Sequence, residues 1–204
     1  MGLFRTDPVD LSDERLMELV ARGQERAFAV LYDRWQRKLL SYFRRMLWQD
    51  SERAQDFLQE LFTKLAQRPE SYQPGRPFGT WLYSVANNMC KNEYRRMATR
   101  TAALPHLKAA HNGVAEPEGG TRVDRDHFTA RLEEELNKLD PDQKAAFVMR
   151  YQEDMAIKEI AAVFGISEGT VKSRLFYTVR KLAAALPEFN PQPEQITPET
   201  GRRP

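Results

Sequence analysis

The stretch that decides the fold runs from Met155 to Leu186 and reads MAIKEIAAVFGISEGTVKSRLFYTVRKLAAAL. Apolar residues recur at helical spacing on both sides of Gly165, which predicts two short helices joined by a turn. A glycine at this point supplies the positive φ at which helices commonly end, and Ile166 is expected to fill the turn from inside. Ser167 is a natural N-cap for the second helix. The pattern predicts a helix-turn-helix, with Ala161 at the close crossing of its two helices.

The second helix of this motif carries a local concentration of positive charge. From Thr170 to Leu186 the chain has four basic residues and no acidic one, although the formal net charge of the whole chain is only +2. Basic and hydroxyl side chains near a helix N-terminus suit the DNA major groove, where base edges and phosphates are both within reach. The alternative is an ordinary helix pair with a basic solvent face, and the joint spacing of the turn residues favours DNA binding. The residues expected to face DNA are Thr170, Lys172, Ser173, Arg174, Phe176, Tyr177 and Arg180.

The rest of the chain also has the pattern of helices. Apolar residues recur at steps of three and four from Phe28 to Met46, from Leu58 to Leu65 and from Phe78 to Met89, which is the spacing of one buried helix face. No run of alternating β-branched residues predicts a strand. The predicted fold class is all-α.

Composition divides the chain into two small helical domains, at residues 11–97 and 128–186. Between them, residues 98–127 contain glycines and prolines and few large apolar side chains. Such a segment buries too little surface to offset its ordering entropy, so it is predicted to be a flexible linker. Residues 187–204 contain five prolines and are expected to form a disordered tail.

Several classes of protein are excluded by composition. No stretch approaches the roughly 18 consecutive apolar residues of a membrane-spanning helix, and the N-terminus lacks the apolar core of a signal peptide. The single cysteine, Cys90, cannot form an internal disulfide, and it is expected to be a small core residue rather than a redox sensor. The three histidines lack zinc-ligand spacing. These features favour a cytoplasmic protein with no membrane insertion, no metal and no cofactor.

Two further motifs resemble a known family. Residues 54–62 read AQDFLQELF and closely resemble region 2.2 of bacterial sigma factors, and residues 78–88 read FGTWLYSVANN and resemble their regions 2.3 to 2.4. With the helix-turn-helix as region 4, and with regions 1.1 and 3 missing, the chain resembles an extracytoplasmic-function (group 4) sigma factor over about residues 11–97 and 128–186. The resemblance implies an alternative sigma factor that binds core RNA polymerase. It would direct promoter-specific initiation through −35 duplex recognition and −10 melting.

The resemblance also assigns roles to individual residues. The polar face of the predicted third helix, with Asp56, Gln59 and Glu60, would bind the clamp helices of the polymerase β′ subunit. Asn88 would hold a flipped-out base of the −10 element, since an amide can pair with a base edge; a surface amide or local cap is the alternative. The second domain is expected to contact the β-subunit flap, and an anti-sigma factor is an expected partner. The other residues expected at the −10 strand, through amide or phosphate contacts, are Lys91, Asn92, Arg95 and Arg96.

Two positions depart from the family pattern, and a third has two interpretations. Tyr177 and Val179 stand where family members commonly carry arginines. Tyr177 can stack or donate to a phosphate, but it cannot make a bidentate contact to guanine, so the −35 preference is expected to differ. Trp81 falls on the buried stripe of its helix, which favours a place in the core over stacking on melted bases.

Other functions fit the sequence less well. Glu52, Asp56 and Glu60 recur at steps of four and could form a carboxylate row for a metal, but no other ligands accompany them and a solvated acidic face is favoured. A LuxR-like transcription activator would share the helix-turn-helix but needs a ligand or receiver domain, for which no pattern is present. A nucleic-acid hydrolase needs convergent metal ligands or a nucleophile paired with a base, and the sequence has no pattern for either. The sequence therefore predicts a protein that is not an enzyme.

Overall fold

The computed structural model describes residues 7–103 and 120–189, with side chains described for 7–100 and 125–189. All regular structure in these ranges is helical, which confirms the predicted fold class. Three single-turn 3₁₀ helices span Pro8–Asp10, Pro69–Ser71 and Pro187–Phe189. The α-helices are α1 Asp13–Val20, α2 Glu25–Met46, α3 Ser51–Gln67, α4 Phe78–Ala103, α5 Gly120–Asn137, α6 Pro141–Tyr151, α7 Ile157–Phe164 and α8 Glu168–Ala185. None of the described helices is both long enough and apolar enough to cross a bilayer.

Four of these helices begin at a polar side chain that accepts a hydrogen bond from a free backbone N–H of the first turn. The donor–acceptor distances lie between 2.9 and 3.3 Å. Each such cap stabilises its helix by about 1 kcal/mol. The capping residues are Ser12 for α1, Asp50 for α3, Asp140 for α6 and Ser167 for α8.

The first four α-helices form a bundle around α2, which packs against α1, α3 and α4. Edge-to-face aromatic pairs join the helices. Phe62 of α3 lies 4.8 Å from Tyr32, and Phe78 of α4 lies 6.0 Å from Trp35, measured between ring centroids. Such pairs add about 0.5–1.5 kcal/mol beyond their burial. The buried residues of α2 are Ala27, Leu31, Leu39, Tyr42, Phe43 and Met46.

The last three α-helices contain the predicted helix-turn-helix, which the structure confirms. Gly165 ends α7 with a φ of 67°, a left-handed conformation that glycine adopts without steric cost. Within α7, Ile160 and Ala161 are buried against α8 and the rest of the core. Helix α6 packs across both α7 and α8. The buried residues of α8 are Val171, Leu175, Thr178 and Leu182.

Helices occupy both ends of the segment that the sequence predicts as a linker. Helix α4 continues through Ala103, and α5 already begins at Gly120. Residues 98–103 read ATRTAA, so alanine and arginine extend α4 by intrinsic helix propensity although no apolar stripe is present. Residues 104–119 lie outside the described part of the chain, as do residues 190–204 of the predicted tail.

The two helical domains pack against one another in this structure. Helix α4 contacts α6 and α7, and α2 contacts α6. The last carbonyls of α7, which have no partner within the helix, accept hydrogen bonds from the first domain. Arg76 donates to the carbonyl of Ala162 at 2.8 Å, and the Ser84 hydroxyl donates to that of Val163 at 3.3 Å. On the other side of the contact, Glu153 accepts from the Tyr83 hydroxyl at 2.8 Å.

Candidate nucleic-acid and polymerase interfaces

Helix α3 separates its polar and apolar residues cleanly. Leu58, Leu61 and Phe62 are buried in the first domain. The side chains assigned to polymerase binding, Asp56, Gln59 and Glu60, are all exposed on the other side. Glu60 forms an ion pair with Lys64 one turn along the helix. Within the described part of the chain, no three acidic, histidine or cysteine side chains converge as metal ligands.

Helix α4 presents a face on which Trp81, Val85, Asn88 and Asn92 follow one another at steps of three and four. Asn88 and Asn92 are exposed, whereas Trp81 and Val85 are half-buried. The neighbouring Asn87 is buried instead, and its side-chain oxygen accepts from the Tyr42 hydroxyl at 3.2 Å. Asn87 therefore has a structural role, whereas the amide of Asn88 is exposed to solvent and available to a ligand.

A cleft of about 540 Å³ opens beside this face, between α3 and α4. Trp81 forms one of its walls while its ring packs on Tyr72 at 5.4 Å and on Phe78 at 5.8 Å. The predicted core role of Trp81 therefore describes only part of its surroundings. The spacing of apolar residues does not predict the cleft, although Lys64 and Arg68, two basic residues at helical spacing, are a signal for it. The lining residues are Leu61, Lys64, Leu65, Gln67, Arg68, Ser71, Trp81 and Val85.

The C-terminal half of α4 carries the basic residues assigned to the −10 strand. Arg95 and Arg96 are exposed, and Arg96 lies 3.6 Å from the buried carboxylate of Glu93. Lys91 differs, because it is half-buried and pairs with Asp142 of α6 at 2.6 Å. Cys90 next to it is fully buried, as predicted, and burial raises the pKa of its thiol well above the usual range.

Helix α8 presents most of the predicted −35 residues to solvent. Lys172, Ser173 and Arg180 are exposed, and Ser173 and Arg180 lie on the side opposite the buried face of the helix. Thr170 is also exposed, but its hydroxyl lies 2.8 Å from that of Ser167 and belongs to the helix cap. Two large aromatic side chains complete the surface. Phe176 and Tyr177 are 61% and 62% exposed, and their rings meet edge to face at 5.4 Å.

Arg174 does not lie outward as the sequence pattern predicts. Its side chain is only 22% exposed. The guanidinium carbon lies 5.0 Å from the centroid of the Phe164 ring, and Nη1 lies 3.6 Å from Asp142 Oδ2. The residue precedes the buried Leu175 and stands at the edge of the helix face, where α6 and α7 supply a carboxylate and an aromatic ring.

One carboxylate thus holds a cation from each candidate DNA surface. Lys91 of α4 and Arg174 of α8 both pair with Asp142, and both lie over the Phe164 ring, at 5.7 and 5.0 Å. We name this set of four residues the Asp142 contact. In this packing, neither cation is free to meet a phosphate.

Comparisons with known proteins agree with the motifs. The family model for sigma-70 region 2 matches residues 31–101, and that for sigma-70 region 4 matches residues 129–182. The RNA polymerase sigma-H factor of Pseudomonas aeruginosa is 30% identical over 85% of this chain and 93% of its own length. The ECF RNA polymerase sigma-E factor of Escherichia coli is 30% identical over 81% and 90%.

Two solved structures are similar over most of the chain. CnrH, in complex with the cytosolic domain of CnrY, is 25% identical with a TM-score of 0.63, over 87% of this chain and 99% of that one. RpoE of Bartonella quintana, in complex with the anti-sigma factor NepR, has a TM-score of 0.64 at 18% identity, over 80% and 98%. The second likeness is one of fold alone.

Proposed function

The chain belongs to the extracytoplasmic-function sigma factors, and from that premise we propose that α4 holds the melted −10 strand while α8 reads the −35 duplex. It is an alternative sigma factor that directs transcription initiation, as its motifs predict. The LuxR-like alternative is not favoured, because the first domain matches sigma-70 region 2. The relatives are sigma factors, which are not enzymes, and we propose no catalytic role for this chain.

We assign −10 strand and β′ binding to residues 11–97, and −35 duplex and β-flap binding to residues 128–186. In the first domain, the exposed face of α3 with Asp56, Gln59 and Glu60 contacts the clamp helices of β′. Its support is that two carboxylates and an amide stand free of the core, on a helix held rigidly by its buried side. In the second domain, an apolar groove of about 220 Å³ between α5, α6 and α8 supports a contact with the β flap. Its walls include Phe128, Leu132, Phe147, Val179 and Leu182.

The observation that carries the −10 assignment is the position of Asn88. Its exposed amide lies one turn beyond Val85, and so next to the cleft with Trp81 as a wall. Extruding a base costs a few kcal/mol, which a pocket must offset by stacking and by hydrogen bonds to the base edge. The cleft offers an indole, and Asn88 offers a donor and an acceptor. Arg95 and Arg96 continue along the helix toward the phosphates on either side.

An anti-sigma factor and a cytoplasmic location complete the proposal. The solved RpoE structure is a complex with the anti-sigma factor NepR, and the present chain shares its fold. We extend that type of partner to this chain. Core polymerase and promoter DNA, its other two partners, place its action in the cytoplasm.

The decisive experiment separates polymerase binding from strand capture. Purified chain and core polymerase first select active promoters from a library, which supplies the −10 sequence. Asn88→Ala is then expected to leave core affinity unchanged and to lower initiation and binding of the single-stranded −10 oligonucleotide about tenfold, the value of one good base contact. Asp56→Ala with Glu60→Ala is expected to do the reverse, weakening core binding with little effect on the oligonucleotide.

Gln36→Ala is the matched control, since it removes an amide from α2 that the proposal places outside both surfaces. It is expected to behave as the unmodified chain in both assays. An Asn88→Ala protein that binds the oligonucleotide as tightly as this control contradicts the −10 assignment.

A further inference from the structure

We infer that Phe176 and Tyr177 make α8 a reader of thymine methyl groups, so that the −35 element of this sigma factor is selected for thymine at the positions these rings touch. The inference rests on the proposed function of α8 as the −35 reader. It names the preferred base and the contact that selects it. The departure from arginine at Tyr177 and Val179 predicts only that the −35 preference differs.

The first observation is the exposure of the two rings. Among the exposed large hydrophobic side chains of the described residues, Phe176 and Tyr177 are the most exposed, at 61% and 62%. They are adjacent in sequence and touch edge to face, so they form one apolar patch. Aromatic surface of this size gains considerable free energy when a partner covers it.

The second observation is where the patch lies on α8. The buried face of the helix is fixed by Val171, Leu175, Thr178 and Leu182. Phe176 follows Ser173 by three residues and precedes Arg180 by four, so these three share the opposite face. Tyr177 lies beside this face of α8, on the side away from Phe176. A groove that receives Ser173 and Arg180 therefore receives both rings.

The charge around the patch favours DNA as the occupant. Lys172, Arg180 and Lys181 surround the rings, and the stretch from Thr170 to Leu186 contains no carboxylate. Phosphates on either side of a major groove match these cations. An apolar protein partner alone would leave the cations without counterparts.

The chemistry of the groove then selects the base. In the major groove only thymine presents a methyl group, whereas guanine presents two acceptors and cytosine a donor. A phenyl ring over guanine or cytosine desolvates those groups without replacing their hydrogen bonds, which is unfavourable. Phe176 has no polar atom, so it favours thymine, and the Tyr177 hydroxyl remains free for a phosphate or an adenine.

The test removes the methyl group alone. Promoters are selected from a library randomised over the −35 element, using core polymerase with the full chain, and thymine is expected at one or more selected positions. Each such thymine is replaced by deoxyuridine, which lacks only the methyl. Initiation by the unmodified chain is expected to fall about fourfold at a contacted position, the contribution of one buried methyl.

The variants connect that loss to the rings. In the double variant Phe176→Ala with Tyr177→Ala, the deoxyuridine promoter and the thymine promoter are expected to become equal, because neither ring remains to sense the methyl. Phe176→Leu is expected to retain part of the discrimination, because leucine keeps an apolar contact at this position. Val9→Ala is the control; it removes an exposed apolar side chain outside both proposed DNA surfaces and is expected to keep the full discrimination.

The outcomes distinguish this inference from the function on which it rests. Initiation that ignores the whole −35 element overturns the proposed role of α8. Dependence on the −35 element with no methyl effect at any position overturns only the thymine inference. A double variant without both rings that binds core polymerase less tightly and keeps its methyl discrimination also overturns it, because the patch then contacts polymerase.

Discussion

Gly79 shows how a single residue fixes the distance between two helices of the first domain. A Cβ built at this position would lie 2.5 Å from Trp35 Cη2, closer than two carbon atoms can approach. Trp35 cannot simply turn away, because its Nε1 donates to Asp13 Oδ2 at 2.8 Å and its ring packs on Phe78. The spacing of apolar residues predicts that Phe78 and Trp35 are core residues, but it does not predict the close contact between Gly79 and the Trp35 ring.

Gly79→Ala is expected to lower the free energy of unfolding by about 1–3 kcal/mol, the usual cost of overpacking. The gain in helix propensity, about 1 kcal/mol, offsets only part of this. Urea unfolding followed by circular dichroism measures the change. Gly169→Ala is the matched control, since its Cβ would meet only Ser167 Oγ at 3.7 Å. Equal stability of the two variants would contradict the close contact with Trp35.

At the scale of the element, α8 depends on its cap for a defined beginning. Ser167 Oγ accepts from the Thr170 N–H at 3.1 Å, which satisfies one of the free donors of the first turn. Because that turn belongs to the proposed −35 surface, fraying there moves Lys172 and Ser173 away from the groove. The cap therefore contributes to both stability and DNA recognition.

Ser167→Ala is expected to cost about 1 kcal/mol of stability and to weaken initiation at promoters that depend on the −35 element. Ser167→Asp keeps a capping oxygen and is expected to retain the stability. Thermal unfolding and initiation assays on the selected promoters measure the two effects. A destabilised Ser167→Asp protein would indicate that the serine acts through another contact.

Much of the element scale could be predicted from sequence. Gly165 and Ser167 mark the turn because each has a specific backbone role, and the stripes of α2 to α4 predict their buried faces. The end of α4 and the start of α5 lie within the segment predicted as a linker, because residues 98–103 and 120–127 carry no apolar stripe that would indicate a helix. The cleft beside Trp81 is not predictable from the pattern for another reason. Its walls come from two helices, and periodicity describes one helix at a time.

At the scale of the whole molecule, the contact between the domains could not be predicted at all. Lys91 and Arg174 have the pattern of solvent-facing cations, and only the packing of α4 on α6 and α7 brings them to Asp142. Lys144 is a second example. It lies in the first turn of α6 and is buried, with Nζ 2.8 Å from Asn137 Oδ1 and 3.2 Å from the Met46 carbonyl.

This buried lysine gives the domain contact a dependence on pH. Burial lowers the pKa of Lys144 to about 8, against the opposing influence of Cys90 and Glu133; the Tyr94 hydroxyl also faces it, at 3.4 Å. Separation of the domains returns the amine to water and its pKa toward the usual value. The separated state then binds more protons between about pH 8 and the usual lysine pKa near 10.4. The packed state is therefore expected to gain stability as pH rises through that window and to be weakest below it.

Small-angle scattering or energy transfer between labels on the two domains measures the effect, from pH 7 to 9.5. This range lies above the titration of an ordinary carboxylate. Glu153 is a second titratable group at the same contact, because burial raises the pKa of its carboxyl. The compact fraction is expected to increase over the range. Lys144→Met is expected to be compact throughout and to lose the dependence. A pH profile unchanged in this variant would assign the effect to another group.

The Asp142 contact also has a consequence for ionic strength. Each phosphate that meets Lys91 or Arg174 displaces the same carboxylate, so DNA binding by the free chain is an exchange of ion pairs. Added salt weakens protein–DNA binding through counterion release, but it also weakens the internal pairs that must first break. The logarithm of DNA affinity should therefore fall less steeply with the logarithm of salt concentration than the number of phosphate contacts implies. Removing the carboxylate with Asp142→Asn should steepen it.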